Sequence, residues 1–412
     1  MQSMMKLTIT KNRILYIVLA YVTIIYMQPF FAWKSYSTAN VFNSLGYVGI
    51  IIVTLLSLSS AMARRRINRT SFNGLLILLI LVGYVYFVGE HSQMGSIGVL
   101  FQYLMIISIA LLDPMEKTEF FSMFRKVFAI LMIIPMVMFF LRLLNIGIPY
   151  SLLADYRADS NRIYLHYPLT VFMASIYSTH LPVMRLCAFL DEPGYLGTII
   201  MLLLAGDGYD LKKNENKILF LAGLMTLSTA FFVVTVVYFI IMNKETIFAP
   251  KRRKYVIITL VLIALGVFFI TTTDAGNKLI DILFSKLQTG DLRNSQTILS
   301  NTVEAYKENI LYLLFGHGYY SYTMSYSSGG YSWGMLLYDI GIFGMLLTVV
   351  YVLFFGKVNR FSKQEFLFRM IMLASIFQRP YIVTIPYVVI FVFGLSNLVY
   401  KSDEIEQAMH TI

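Results

Sequence analysis

Cysteine is almost absent from this chain of 412 residues, with Cys187 the only one. That excludes an internal disulfide and any metal site built from thiolates. Charge is scarce as well. Asp, Glu, Lys and Arg make up 13% of the residues, against about 25% in soluble domains. Three catalytic signatures are also missing: a Gly-rich phosphate loop of the Walker type, an H-E-x-x-H helix and an Asp-x-Asp pair. Without them, P-loop nucleotide hydrolysis, zinc hydrolysis of that kind and chemistry on a metal-bound nucleotide sugar are set aside.

Apolar residues fill the space that charge leaves, at 58% of the chain. The expected fold is all-α: one polytopic integral membrane domain over residues 1–412, with about 12 transmembrane helices. The net charge of +11 raises the question of nucleic acid. Its distribution answers it. Arg64-Arg65-Arg66, Lys212-Lys213 and Lys251-Arg252-Arg253-Lys254 gather on one side of the expected topology, while the other side is close to neutral. The excess therefore orients the protein by the positive-inside rule, and no nucleic-acid partner is expected.

Apolar runs at 14–33, 42–63, 73–88, 96–112 and 127–144 are the first five expected passes and hold little polar chemistry. Between the last two, Lys117, Arg125 and Lys126 fall in an expected cytoplasmic loop. Residues 218–242 are flanked by basic clusters on both sides, which predicts a short hairpin with its tip at Ser228-Thr229. A single pass, inverting everything downstream, is the alternative. Further passes are expected at 255–270 and 333–355, then a hairpin over 366–400 that turns at Gln378-Arg379-Pro380. Both ends are expected in the cytoplasm. This topology leaves two large outer loops, 145–190 and 271–332, and loops of that size are usually functional.

The first outer loop carries Arg157, Arg162 and Arg185 among tyrosines, and its apolar stretch 168–177 is too short to span and suits a segment lying in the interface. It ends in Arg185-Leu186-Cys187-Ala188-Phe189-Leu190-Asp191-Glu192-Pro193-Gly194-Tyr195-Leu196-Gly197. Proline favours the first helical position, which puts Glu192 near an N-cap and Asp191 just before it. The apolar run that follows, to Gly206, covers about 21 Å as a helix, against roughly 30 Å of hydrocarbon. The helix start is therefore expected below the membrane surface, in a partly dry site where Arg185 can pair with the two carboxylates. An interfacial ion pair capping a helix is the plainer alternative. In the second loop an amphipathic stretch, 297–315, is expected to end at Gly316. Asp339 falls in the outer third of the next pass.

Outward-facing arginines, a carboxylate pair and many tyrosines fit sugar transfer from a lipid diphosphate. Guanidinium clamps pyrophosphate in two-pronged fashion without a metal. The acceptor hydroxyl needs a general base, and negative charge helps an oxocarbenium-like transition state.

The stretch from Arg185 to Gly197 resembles the arginine-then-acid-proline signature of bacterial O-antigen and exopolysaccharide polymerases of the Wzy type. Thr226-Leu227-Ser228-Thr229 looks like the family's T-x-S-T helix end. Arg293 followed by Leu314-Phe315-Gly316-His317-Gly318 looks like its second-loop pattern, and Asp339-Ile340-Gly341-Ile342-Phe343-Gly344 like the glycine-spaced helix after it. The resemblance implies a GT-C-like glycosyltransferase in the bacterial inner membrane, active on the outer face. It would move a growing glycan from undecaprenyl diphosphate onto a lipid-linked repeat unit, alongside a chain-length regulator and a flippase. No cofactor and no metal are expected. Carried over, Arg185 and Arg293 bind the diphosphate and Glu192 stands at the active centre. Asp191 and Asp339 are the further catalytic candidates, and Arg157, Arg162, His317 and Arg379 the further substrate-binding ones. The general base stays open. The ligase branch of the same superfamily has a His-Asn pair where this chain has Gly330-Tyr331, which argues against ligase. A flippase or transporter of lipid-linked sugars would place its charges on helices near the midplane, whereas here the candidates lie in outer loops and at helix ends, with only Asp339 inside a span.

Overall fold

The computed structural model describes residues 2–33, 36–63, 69–89, 96–144, 146–154, 162–167, 169–175, 184–244, 296–326, 333–356 and 361–410. Arg157, Arg293, Gly330, Tyr331 and the pass expected at 255–270 lie outside them. The chain divides into two compact units. One comprises Met1–Val127, Ala205–Asp210 and Arg293–Ile412, the other Phe128–Leu204 and Leu211–Leu292.

The first unit is helical among its described residues. It opens with α1 (Gln2–Ile25), α2 (Phe30–Trp33), α3 (Tyr36–Ala63), α4 (Arg69–Phe87) and α5 (Ile97–Ala110). It also holds the first part of α6 (Pro114–Leu143). Close approach of α3 to α1 rests on Gly49, where a β-carbon would fall 2.6 Å from Val22. The start of α6 departs from the expected loop: Lys117 and Arg125 are inside the helix and buried. A capping box explains why. Asp113 accepts from the Met115 N–H at 3.0 Å, and the Glu116 carboxylate accepts from the Asp113 N–H at 3.1 Å, with Pro114 at the first helical position. Lys117 then donates to the Ala110 carbonyl at 2.7 Å. Arg125 forms a buried ion pair with Asp207, and Asn397 donates to both the Gly206 carbonyl and the Asp207 carboxylate.

The second unit corrects the all-α expectation. Its first-loop residues fold into a four-stranded antiparallel sheet in the order β1-β2-β3-β4. The strands are Ser151–Ala154, Arg162–Tyr167, Thr170–Ser175 and Arg185–Ala188. The stretch expected to lie in the interface is β3, paired from Thr170↔Tyr167 to Ser175↔Arg162 on one side and with β4 on the other. Apolar runs of this length suit a buried strand as well as an interfacial segment, and pairing partners on both sides decide for the strand. Tyr164, Tyr167, Val171 and Phe172 are buried, and Phe172 meets Phe139 of α6 edge-on at 5.9 Å.

After the sheet come α7 (Pro193–Ala205), α8 (Asn214–Met225) and α9 (Thr229–Met242). The expected hairpin is present as two short helices with a turn at 226–228. They fold back on each other through Phe220, which meets Phe231 at 6.1 Å and Phe239 at 6.4 Å. The first unit resumes with α10 (Gln296–Glu308), α11 (Ile310–Phe315), α12 (Ser321–Tyr326), α13 (Trp333–Phe354), α14 (Lys363–Gln378) and α15 (Ile385–His410). Residues 387–393 of α15 are at most 1% exposed, buried on every face as an all-apolar central helix should be.

Three helices among the described residues are long and apolar enough to cross a membrane: 40–63, Pro114–Leu143 and Trp333–Phe354. Six more apolar helices are shorter, Pro193–Ala205 and Thr229–Met242 among them. The chain has the helices of a membrane protein.

Candidate functional site

In the second unit, β4 delivers Arg185 to the turn between α8 and α9. Its Nε donates to the Thr226 carbonyl at 3.1 Å and its Nη2 to the Leu227 carbonyl at 3.2 Å. The turn needs such support. Leu227 has φ 46°, a left-handed conformation unfavourable for a branched side chain. Thr226 ties the turn from within, its hydroxyl donating to the Gly223 carbonyl at 2.7 Å and accepting from the Ser228 N–H at 3.3 Å.

Beyond β4 the chain reverses at Ala188, φ 54°, with the Leu190 N–H donating to the Cys187 carbonyl. Asp191 and Glu192 follow, both half-buried. The Glu192 carbonyl accepts from the Tyr195 and Leu196 N–H groups at 3.1 Å each, so Glu192 is the N-cap of α7, with Pro193 at the first helical position. One turn on, Gly197 lets α7 press against the α8–α9 turn. A β-carbon there would fall 2.8 Å from Ser228 Cβ and 3.0 Å from Thr226 Oγ1. The arginine, the acid-proline helix start and the T-x-S-T turn are thus one assembly. Cys187 lies at its centre, within electrostatic reach of Arg185, Asp191 and Glu192. Burial pushes its thiol well above the ordinary range, Arg185 pulls it down, and the two carboxylates push it up.

In the first unit, α13 is broken at Gly341, φ 62°. The loop 316–318 is inserted at the break. The His317 N–H donates to the Tyr338 carbonyl at 3.0 Å and the Gly318 N–H to the Asp339 carbonyl at 2.8 Å. Both Asp339 carboxylate oxygens accept from backbone N–H groups, from Tyr322 at 2.8 Å and Tyr320 at 3.0 Å, and so cap the start of α12. The His317 imidazole is buried between two phenol rings, 3.9 Å from Tyr312 and 4.2 Å from Tyr338. Arg379 is 3% exposed at the turn after α14, and the neighbouring Pro380 carbonyl accepts from the Tyr319 hydroxyl at 3.1 Å. Beside it, Tyr320 is pushed up to about 12 by burial, with a hydrogen bond to Tyr319 acting the other way.

Of the expected site residues, Arg185, Asp191 and Glu192 gather in the second unit, and His317, Asp339 and Arg379 belong to the first. Arg162 opens β2. The backbone carbonyls of Thr226 and Leu227 and the hydroxyl of Tyr319 had no signal of their own in the sequence. Among the described residues, no three His, Cys, Asp or Glu side chains are grouped so as to hold a metal ion. No family model, curated protein or solved structure matches the chain.

Proposed function

We propose that the chain is a membrane-embedded glycosyltransferase of the polysaccharide-polymerase kind. It moves a growing glycan from undecaprenyl diphosphate to a lipid-linked repeat unit on the outer face of the bacterial inner membrane. One observation carries this reading. Two motifs of the polymerase resemblance, the Arg185–Gly197 stretch and the turn at Thr226, 41 residues after Arg185, meet in one assembly.

The chemistry follows from the groups assembled there. The acceptor hydroxyl oxygen bonds to the anomeric carbon, the bond from that carbon to the diphosphate oxygen breaks, and the hydroxyl proton passes to a base. The Glu192 carboxylate, at the N-cap of α7, is assigned to the positive charge that develops on the sugar, and the adjacent Asp191 to the base. The leaving diphosphate takes up negative charge, to which guanidinium is suited. Arg185, held in a fixed position by its two donations to the turn, is assigned to that charge. Arg293, Arg157 and Arg162 are the further arginines of this reading, and the expected partners are a chain-length regulator and a flippase.

The break in α13 favours a second reading, a transporter of lipid-linked sugars, since discontinuous helices line transport sites. Against it, the carbonyls exposed by the break are taken by the protein's own N–H and O–H groups. Deleting the gene and separating surface polysaccharide on a gel decides. A polymerase leaves single-repeat products at the surface and no ladder. A transporter leaves no product at the surface and lipid-linked repeats held inside, while a ligase leaves polymer on the lipid carrier.

A further inference from the structure

The second large loop was expected wholly outside the membrane, yet its inner portion is joined to α13 well within that helix. Phe315 meets Phe343 at 6.1 Å between ring centroids, and Gly316 abuts Gly341. Ile340, the last residue before the break at Gly341, lies about 10 Å along the helix from Trp333, at 1.5 Å per residue. α13 is one of the three described helices long and apolar enough to cross a membrane, whose hydrocarbon is roughly 30 Å thick. Phe315 therefore sits well below the surface level at the Trp333 end. The contacts with α4 give the same gradient. Gly318 touches Gly89, just past the end of α4, whereas Phe315 is bonded to Tyr84, inside the helix.

Two independent features fit this depth. The first is exposure. Ile310, Leu311, Leu314 and Phe315 of α11 are 42–63% exposed, next to Ile342, Phe343 and Leu346 on α13, which are 40–57% exposed. The second is the treatment of the irregular backbone. Away from water an unpaired peptide group costs several kcal/mol, and irregular chain is tolerated only where protein satisfies it. Here the Tyr84 hydroxyl lies 2.7 Å from the Phe315 carbonyl and 2.8 Å from the Ile340 carbonyl. The Gly316 N–H donates to the Tyr312 carbonyl at 2.8 Å, and the Ser321 hydroxyl donates to the His317 carbonyl at 2.9 Å. With the His317, Gly318, Tyr320 and Tyr322 N–H groups already accounted for, much of the loop's backbone is paired within the protein.

We propose that residues 309–318 form a re-entrant segment, in which α11 is a half-helix embedded in the leaflet at the Trp333 end of α13. The surface it presents is met by the acyl chains of the bilayer. This stands whatever reaction the protein performs.

Spin labels on single cysteines test it, in full-length Cys187→Ala protein reconstituted in phosphatidylethanolamine–phosphatidylglycerol vesicles. Labels at Leu311 and Leu314 are compared with Leu346 on α13 and with Glu304 on α10, an exposed charged position. Oxygen, which concentrates in lipid, is expected to relax the labels at Leu311 and Leu314 several-fold more than a water-soluble nickel chelate does, as at Leu346. Nickel accessibility at Leu314 equal to that at Glu304 overturns the proposal, whatever Leu311 shows. All the labelled positions are exposed, and size-exclusion profiles identify any variant that has lost its fold. Ile310 and Phe315 replace a position lost in that way.

Discussion

Gly316 and Gly341 face each other so closely that neither tolerates a side chain. A β-carbon on Gly316 would lie 2.3 Å from the Asp339 carbonyl oxygen, and one on Gly341 would lie 2.6 Å from the Gly316 nitrogen. Both glycines have positive φ, 77° and 62°, so substitution is strained before any clash is counted. Gly316→Ala and Gly341→Ala are each expected to cost on the order of 2 kcal/mol or more. This reads as a lower thermal midpoint of purified protein. Gly356→Ala is the control. Its φ is 63°, but its β-carbon meets nothing within 4 Å, so only the conformational part of the cost applies.

Glu192 and Arg185 are expected to respond differently to conservative change. Glu192→Gln keeps the carbonyl that caps α7 and removes only the negative charge. Under the proposed function it abolishes polymer while membrane abundance stays at the wild-type level. Wild-type polymer at normal abundance would show that the carboxylate is not needed. Arg185→Lys keeps the charge, but one ammonium cannot reproduce the paired contacts to the Thr226 and Leu227 carbonyls. It is expected to lower thermal stability as well as activity, and an unchanged melting profile would count against the clamp.

The Cys187 thiol is buried and its pKa is raised. It stays protonated at pH 8, and the thiolate that reacts with iodoacetamide is withheld. Mass spectrometry after alkylation at that pH is expected to find Cys187 unmodified in folded protein and modified after unfolding in guanidinium chloride. Rapid labelling of the folded protein would contradict the packing of β4.

Asp207→Asn is expected to destabilise by roughly 3–5 kcal/mol, because it leaves the Arg125 charge buried without its partner. Arg125→Met combined with Asp207→Leu restores most of the loss, since an apolar pair of similar size removes the need for compensation. Thermal midpoints of the two variants, set against the unaltered protein, check this. A double variant no better than the single one would refute it.

What was legible in the sequence is what local chemistry determines. Pro193 and the acids before it marked the start of α7. Ser228-Thr229 marked the break between α8 and α9, and Gly316 the end of α11. The misses depend on partners remote in sequence. The 168–177 stretch has no property that tells strand from interfacial segment until β2 and β4 pair with it. Arg125 read as a loop charge because its neutralising partner, Asp207, lies on a turn that follows a different helix. Arg369 is buried within α14, binding Glu365 one turn earlier at 2.6 Å and donating to the Val352 and Phe355 carbonyls at the end of α13. The candidate site was legible as a set of motifs, but its geometry was not. That Arg185 serves a turn follows from a left-handed Leu227, which periodicity cannot reveal.

The burial of α15 has a consequence for biogenesis. The ribosome delivers α15 after every other described element, yet this helix is packed on α1, α5 and α14 and sends Asn397 to the Gly206–Asp207 turn. Segments of the second unit are all synthesised between parts of the first. The earlier helices are therefore made before the helix they pack against. Such late, long-range closure leaves incomplete chains exposed to misassembly and proteolysis.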